Sequence, residues 1–393
     1  MYFPFLELHG WGKRITGRPQ TIYSEVPKEK TMEVPIMNTL HSLILSQFPL
    51  ESSPVSCERY GCGHINETYL VVTMSDHRYI LQKINHHIFK DVPALMDNIT
   101  AVTGYLRDLI GDPRRVLTLV SAADGMSYVA HSDGTFWRLY EFVEGSLCLQ
   151  APETPEDFYQ SAVAFGEFQQ QLKDFPAATL HETIPNFHNT IDRYRIFHEV
   201  LAADPLGRAG SVQSEIDFLL AREEEAGTLV RLLEAGELPL RVTHNDTKLN
   251  NVMLDALTRT PLCVIDLDTV MPGLSAYDFG DSIRFGAATA AEDEKDLSKM
   301  EMDLELFRIY TRGFLGACPG LTEREKEILP MGAKLMTLEV GLRFLTDYID
   351  GDHYFAVHRE GHNLDRSRTQ LKLVADMESK WDTMAKIVAE EQK

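Results

Sequence analysis

At 393 residues, with 44% apolar and 25% charged side chains, the chain has the size and composition of a globular protein of two or three structural units. Its 59 acidic against 38 basic side chains give a formal net charge of −21, which argues against nucleic acid or an anionic membrane as a partner. No apolar run reaches the roughly 18 residues of a membrane span, and the five cysteines (Cys57, Cys62, Cys148, Cys263, Cys318) form no C-x-x-C pair. Reduced thiols are therefore expected, with neither a disulfide framework nor a zinc site.

Residues 1–36 carry charges and prolines (Lys13, Arg14, Arg18, Pro19, Pro27, Pro35) and lack the unbroken apolar stretch of a signal peptide. A functional tail and a start codon assigned too early both fit this segment, because Met32 and Met37 stand just before the first periodic pattern. A cytoplasmic protein is expected. Met37, Leu40, Ile44 and Phe48 then recur at helical spacing. Strand patterns follow at 55–60, 68–73 and 79–84, the last two joined by a turn at Ser75 and Asp76. The pattern over 92–109 is helical, and 116–120, 127–131 and 135–143 complete a small sheet. Short connections make that sheet antiparallel.

Glu144-Gly145-Ser146 marks a break, after which helical periodicity dominates: Phe158, Phe165, Phe168 and Leu172 early, Leu335, Leu338, Leu342 and Leu345 later. One last helix is expected through Leu371, Val374, Met377, Trp381, Met384 and Val388, and a solvated helix over 292–299. The only strand-like interruption is 240–268. The expected class is α+β: an antiparallel-sheet N-lobe at 37–143 and a larger, mostly helical C-lobe at 144–393, with 1–36 as an extension.

The chemistry concentrates at 242–268, V-T-H-N-D-T-K-L-N-N-V-M-L-D followed by C-V-I-D-L-D. Asp246 stands two residues before Lys248 and five before Asn251, and Asp266 ends an apolar run. Phosphoryl transfer from a nucleotide needs this set. One Asp receives or orients the attacking hydroxyl, a lysine neutralises the moving phosphate, and an Asn and an Asp hold a hard cation such as Mg2+ that keeps several waters. Magnesium also lets an acidic protein hold ATP. The plain alternatives are a turn-capping Asp246, a solvated Lys248, an Asx turn at Asn251 and a strand-end cap at Asp266. Asp268 is either a second carboxylate of the site or a cap.

H-N-D-T-K-L-N-N followed by I-D-L-D resembles the catalytic loop and metal-binding Asp of the protein-kinase-like superfamily, in the small-molecule branch of aminoglycoside, choline and homoserine kinases. G-x-G-H-I-N-x-T-Y at 61–69, I-D-L-D-T-V-M-P-G, D-F-G-D-S-I-R-F-G-A and E-D-E-K-D-L-S-K extend the match, from about residue 37 to the C-terminus. Together they resemble the N-acetylhexosamine 1-kinases. The resemblance implies a two-lobed kinase-like fold, Mg2+ and ATP as cofactor and co-substrate, and phosphorylation of the anomeric hydroxyl of N-acetylglucosamine or N-acetylgalactosamine, in amino-sugar salvage. A monomer is expected.

The same resemblance makes His244 structural. It makes Gly61-Cys62-Gly63 a flap over the ATP phosphates, Glu141-Phe142-Val143 the hinge whose backbone meets adenine, His64, Asn66 and Asp246 contacts of the sugar, and Arg343 with Tyr354 a ligand of the substrate or of a phosphate. Asn245 stands where aminoglycoside kinases often have Gly, which argues against that branch. Asp278 and Asp281 are read as braces of the loop. The phosphate-anchoring lysine fits less well: alternation at 79–83 puts Leu81 and Lys83 on one face and Ile80 and Gln82 on the other, and either face could meet the nucleotide. Arg343 also has Glu339 and Asp347 four residues to either side, as in a surface ion-pair ladder. A kinase for choline, ethanolamine, homoserine or an aminoglycoside is the same-fold alternative. A non-catalytic kinase-like binding protein is the alternative from another class.

Overall fold

The computed structural model of the chain describes residues 38–61 and 65–392. The readings of the extension at 1–36, of Met37, and of Cys62, Gly63 and His64 lie outside these residues.

The N-terminal region opens with helix α1 (Thr39–Leu45), whose first turn is capped by Asn38 accepting from the Leu40 N–H at 3.0 Å. Strands β1 (Pro54–Arg59), β2 (Glu67–Thr73) and β3 (Arg78–Ile84) form a meander, with Asp76 left-handed (φ 61°) in the predicted turn. Helix α2 (Val92–Ile110) is capped by Asp91, carries a proline in its first turn and stops at Gly111, whose φ of 72° suits glycine. Strands β4 (Leu119–Val120), β5 (Val129–Ala130) and β6 (Phe136–Glu141) complete an antiparallel sheet of order β1-β2-β3-β6-β4, with β5 pairing β6.

The two faces of this sheet are chemically distinct. Directly opposed residues of antiparallel strands share a face. Leu81 pairs with Leu139 and Lys83 with Trp137, and this face packs with Ile44 and Leu45 of α1. Gln82 pairs with Arg138 and Ile80 with Tyr140 on the other face, where Tyr140 and Ile84 join Leu95, Met96 and Val102 of α2. That second core continues into Phe168, Val242, Leu267 and Val270, so the sheet region and the helical region share apolar packing.

Strand β7 (Ser146–Cys148) leads to α3 (Pro155–Gln171), which opens on a Thr154–Asp157 capping box. Helices α4 (Thr190–Ala203), α5 (Gln213–Leu220), α6 (Glu223–Ala226) and α7 (Thr228–Glu234) precede the catalytic segment. That segment is built from β8 (Arg241–Thr243), β9 (Val252–Asp255), β10 (Pro261–Val264) and β11 (Met271–Gly273). β8 pairs β11, and β9 lies between β10 and β7. Strand structure in this half is thus wider than 240–268, because β7 and β11 supply edges too short to show as sequence patterns.

Helices α8 (Ser275–Gly286), α9 (Leu304–Ala317), α10 (Glu323–Asp350), α11 (His362–Ser379) and α12 (Trp381–Glu391) close the fold. α8 and α10 cross at backbone contact. A Cβ on Gly280 would stand 2.3 Å from the Gly332 carbonyl oxygen, and one on Gly332 2.5 Å from that of Ala276. Two sequence expectations are corrected. The last helix is two, divided at Lys380, whose N–H meets three carbonyls of the α11 end. Residues 292–299 contain only a one-turn 3-10 helix at Leu297–Lys299, and Glu292 is not a solvated residue. Its carboxylate meets Arg284 at 2.8 Å and lies 3.7 Å from Arg366, with both guanidinium side chains buried.

Candidate active site

The loop after β8 is held by its backbone. Asp278, on the first turn of α8, accepts the N–H groups of His244 (2.9 Å) and Asn245 (2.8 Å). Asp281, one turn on, accepts that of Thr247 at 3.0 Å. Thr247 returns its hydroxyl to the Asp278 carbonyl at 2.7 Å. These are the bracing bonds expected of the two aspartates. Arg284 holds Asp281 from behind at 2.9 Å. Burial would raise the Asp281 carboxyl, but Arg284, Lys248 and His188 outweigh it and hold its pKa below the usual range.

His244 Nδ1 accepts from the Asp246 N–H at 3.3 Å while Nε2 donates to the Ile265 carbonyl at 2.8 Å. Both nitrogens are committed to backbone, so this side chain fixes the loop and is not a base. Asn245 is left-handed, φ 63°, which glycine and asparagine tolerate and most residues do not. Its amide adds a bond to the Thr269 carbonyl at 2.8 Å that glycine could not make.

So braced, Asp246 is buried, with Oδ1 2.9 Å from Lys248 Nζ and Oδ2 3.0 Å from Asn251 Nδ2. Asn251 Nδ2 also donates to the Asp246 carbonyl at 2.8 Å, which turns its Oδ1 away as a neutral ligand oxygen. The Ile265 N–H donates to the Asn251 carbonyl at 2.9 Å and so seats Asp266 beside it. Asp266 is left-handed (φ 60°), and burial, with Asp268 and Asp246 adding to it, pushes its pKa up to about 6. Burial opposes the charge of Lys248, yet Asp246 more than compensates and the ammonium is held above its usual pKa. The structure therefore brings four predicted residues together: Asp246, Lys248, Asn251 and Asp266.

This donor set fits a divalent cation. A buried carboxylate crowded by two others and a preset amide oxygen suit a hard ion. Among the described residues no three His, Cys, Asp or Glu side chains form a metal-binding group, so such an ion would take remaining ligands from phosphate and water.

Lys83 lies elsewhere. Its Nζ is 3.3 Å from Glu67 and 6.0 Å from the Trp137 ring centroid, on the α1 face of the sheet. Strand alternation turns it away from Asp266, and the reading that takes it to the phosphates is corrected on that ground. The sheet's cation on the opposite face is Arg138, with a side chain only 1% exposed and Nη1 2.5 Å from Asp268. Its Nε donates to Gln82 Oε1 at 2.9 Å. Burial works against its charge, and Asp268 outweighs burial. The sequence carried a signal for it, an arginine inside the apolar strand F-W-R-L-Y, because fully buried arginines are rare unless paired.

Asn66 is buried, with Nδ2 2.5 Å from Asp268 Oδ2 and Oδ1 accepting the Asn85 N–H at 2.9 Å. Both ends of its amide serve the sheet and Asp268, so it sits as a brace and not as an open ligand. Gly61 is left-handed (φ 75°), as a turn glycine should be. At the hinge, the Glu141 N–H donates to the Thr118 carbonyl, its carboxylate meets His77 at 2.6 Å, and the Val143 carbonyl accepts from the Ser146 hydroxyl at 2.7 Å.

Arg343 and Tyr354 do meet, Nη2 donating to the phenol oxygen at 3.1 Å. The surface-ladder reading fails here. Glu339 is buried, accepts from Thr190 at 3.1 Å, meets His188 at 3.0 Å and lies 3.8 Å from Arg343. Asp347 instead caps the chain reversal after α10, accepting the N–H groups of His353, Tyr354 and Phe355 at 2.7 to 2.9 Å. Arg193 lies close enough to Arg343 that burial and that like charge both depress its pKa.

The family model for phosphotransferase enzymes, APH, matches residues 56–302, and the chain belongs to this family. A microcompartment-associated aminopropanol kinase has a similar structure at 18% identity, with a TM-score of 0.56 over 88% of this chain and 98% of that one. The GDP complex of aminoglycoside 2'-phosphotransferase-IIIa is similar at 18% identity, TM-score 0.56, over 87% and 99%. An amicoumacin kinase in complex with AMP-PNP, Ca2+ and Ami is similar at 13% identity, TM-score 0.54, over 85% and 91%. At these identities the likeness is one of fold: a kinase-like antiparallel sheet followed by a helical region.

Proposed function

We propose that this phosphotransferase moves the terminal phosphoryl group of ATP to the anomeric hydroxyl of an N-acetylhexosamine, N-acetylglucosamine or N-acetylgalactosamine, releasing ADP and the sugar 1-phosphate. The observation that carries the reading is the Asp246 carboxylate, fixed between the Lys248 ammonium and the Asn251 amide. In a loose phosphoryl-transfer transition state, orientation of the attacking hydroxyl matters more than base strength. Asp246 aligns that hydroxyl and receives its proton. Lys248 follows the charge from Asp246 to the moving phosphoryl.

Asn251 and Asp266 would hold Mg2+, which when bound neutralises the phosphate charge. Residues 37–143 form the nucleotide lobe in this reading, with the base against the backbone of Glu141 and Val143 and the turn at Gly61 and Gly63 over the phosphates. Arg138 supplies the sheet's cation for them. Residues 144–393 form the lobe that binds the acceptor, through Arg343 and Tyr354, joined by His64; residues 1–36 precede both. The enzyme acts as a cytoplasmic monomer.

Charge separates the sugar from the other acceptors of this family. Arg193, Arg343 and His188 surround the buried carboxylate of Glu339. An excess of guanidinium disfavours an ammonium group, as in choline, ethanolamine or aminopropanol, and suits a neutral sugar rich in hydroxyls. ADP release measured against a panel of N-acetylglucosamine, N-acetylgalactosamine, choline and aminopropanol tests this. The sugars should give the higher kcat/KM; preference for a cationic acceptor would overturn the assignment.

A further inference from the structure

Arg284 of α8 has a buried side chain, 4% exposed, and divides its nitrogens between two carboxylates. Nε and Nη2 donate to Asp281 Oδ1 at 3.2 and 2.9 Å, while Nη1 donates to Glu292 Oε1 at 2.8 Å. The two acids therefore do not compete for one donor. Through Oδ2, Asp281 accepts the N–H of Thr247 at 3.0 Å, which belongs to the peptide joining Asp246 to Thr247. The Thr247 carbonyl accepts from the Ser282 hydroxyl at 2.8 Å, so this residue hangs on α8 at both ends, and Asp281 is the ionic hold of the two. Glu292 is seated from the far side by α11. Its backbone carbonyl accepts from Thr369, and its Oε2 lies 3.7 Å from Arg366 Nε and accepts no hydrogen bond from the described residues.

A guanidinium is a rigid planar fork, and one held at a single edge can still swing about that edge. We propose that Glu292 is a positioning residue of phosphoryl transfer: its carboxylate fixes the Arg284 nitrogen that Asp281 leaves open, and so sets the peptide that carries Asp246. This rests on the reading that Asp246 acts on the attacking hydroxyl, and not on which acceptor bears it. Burial pushes the Glu292 carboxyl up to about 7, with Arg284 and Arg366 opposing and Asp281 adding to the rise. Asp293, next in the chain, is engaged by Arg359 and by His362, each at 3.2 Å. Burial, with Arg366 and Arg359 after it, takes His362 down to about 4, so that imidazole is neutral where Glu292 titrates. As pH falls through about 7, Glu292 takes up a proton and Nη1 of Arg284 faces a neutral carboxyl. The loop then loses that constraint.

The test is kcat against pH for the parent and Glu292→Gln, with whichever acceptor the parent turns over. The parent's kcat should fall about fivefold across an acid limb near neutrality. In Glu292→Gln the amide oxygen can keep the Nη1 bond without the charge. That variant should show no such limb, and its kcat should stay near the parent's acid plateau at every pH. KM for ATP and for the acceptor should remain within about twofold of the parent's. The same profile and kcat in both proteins, or a loss confined to melting temperature, would make Glu292 a structural tie and overturn the proposal. A limb that belongs to Asp266 would persist in the Gln variant, and that result also overturns it. Should Glu292→Gln fail to fold, Arg366→Gln removes a cation that helps to hold Glu292 ionised and should move the limb to higher pH; an unmoved limb counts against the proposal in the same way. Failure of the reading beneath it shows separately, as an Asp246→Asn variant that keeps its activity. If the parent consumes an amino alcohol and not the sugar, the acceptor assignment falls, while the profiles run with that acceptor still decide the role of Glu292.

Discussion

Asp246 divides its two oxygens between a cation and an amide, and that division explains why a single atom matters there. Asp246→Asn keeps the shape but replaces one acceptor oxygen with a donor nitrogen, facing either Lys248 or Asn251. Turnover should fall by about 10²- to 10⁴-fold, the range of a positioned proton acceptor, while the melting temperature and the affinity for Mg2+-ATP stay close to the parent's. Activity within a few-fold of the parent would remove Asp246 from the reaction. Arg138 has a different signature. In the proposed reading Arg138 is the sheet's cation for the phosphates; Arg138→Met removes that charge and leaves Asp268 buried without its cation, so KM for ATP should rise and stability should drop by about 3 kcal/mol. A KM for ATP equal to the parent's would confine Arg138 to a structural tie. The grouping of Asp246, Lys248, Asn251 and Asp266 was legible because they lie within a single segment, 246–266. Arg138 and Asp268 are 130 apart, His188 and Glu339 are 151 apart, and no local pattern joins them.

Elements behaved according to their length. α2, α3 and α10 carry enough turns for periodicity to speak, whereas β7 and β11 are three-residue edges defined only by partners far along the chain. The segment after Glu292 reads as a charged helix because its charges look solvated. In the fold, Glu292 is withdrawn between Arg284 and Arg366, and hydrophilic composition does not reveal that. The face problem at Lys83 is of the same kind. Alternation defines two faces but not which one meets the cleft, and only the pairing of β3 with β6 decides it. The α8–α10 crossing gives the element-scale prediction. α8 holds the loop through Asp278 and Asp281, and its distance from α10 is set by Gly280 and Gly332. Gly332→Val forces the helices apart and should destabilise the fold by about 1–3 kcal/mol or more, read as a lower melting temperature. It should also reduce kcat, since the braces move with α8. A variant as stable as the parent would show that the crossing is not tight.

On the scale of the whole molecule, one apolar core runs from α2 and the sheet into β8, β10 and β11, so the sheet and the strands that flank the loop after β8 are packed against each other. The Arg138–Asp268 pair crosses the same boundary and ties the sheet to the strand-end turn that carries Asp266. The family and the fold fix phosphoryl transfer, while the acceptor rests on the arginine-rich wall around Glu339. The most direct test is a phosphorus NMR spectrum of the protein with Mg2+-ATP and N-acetylglucosamine, then N-acetylgalactosamine. A new phosphomonoester resonance coupled to the anomeric proton, growing with ADP, is the predicted result. ATP left intact with both sugars, and consumed with choline or aminopropanol, would contradict it.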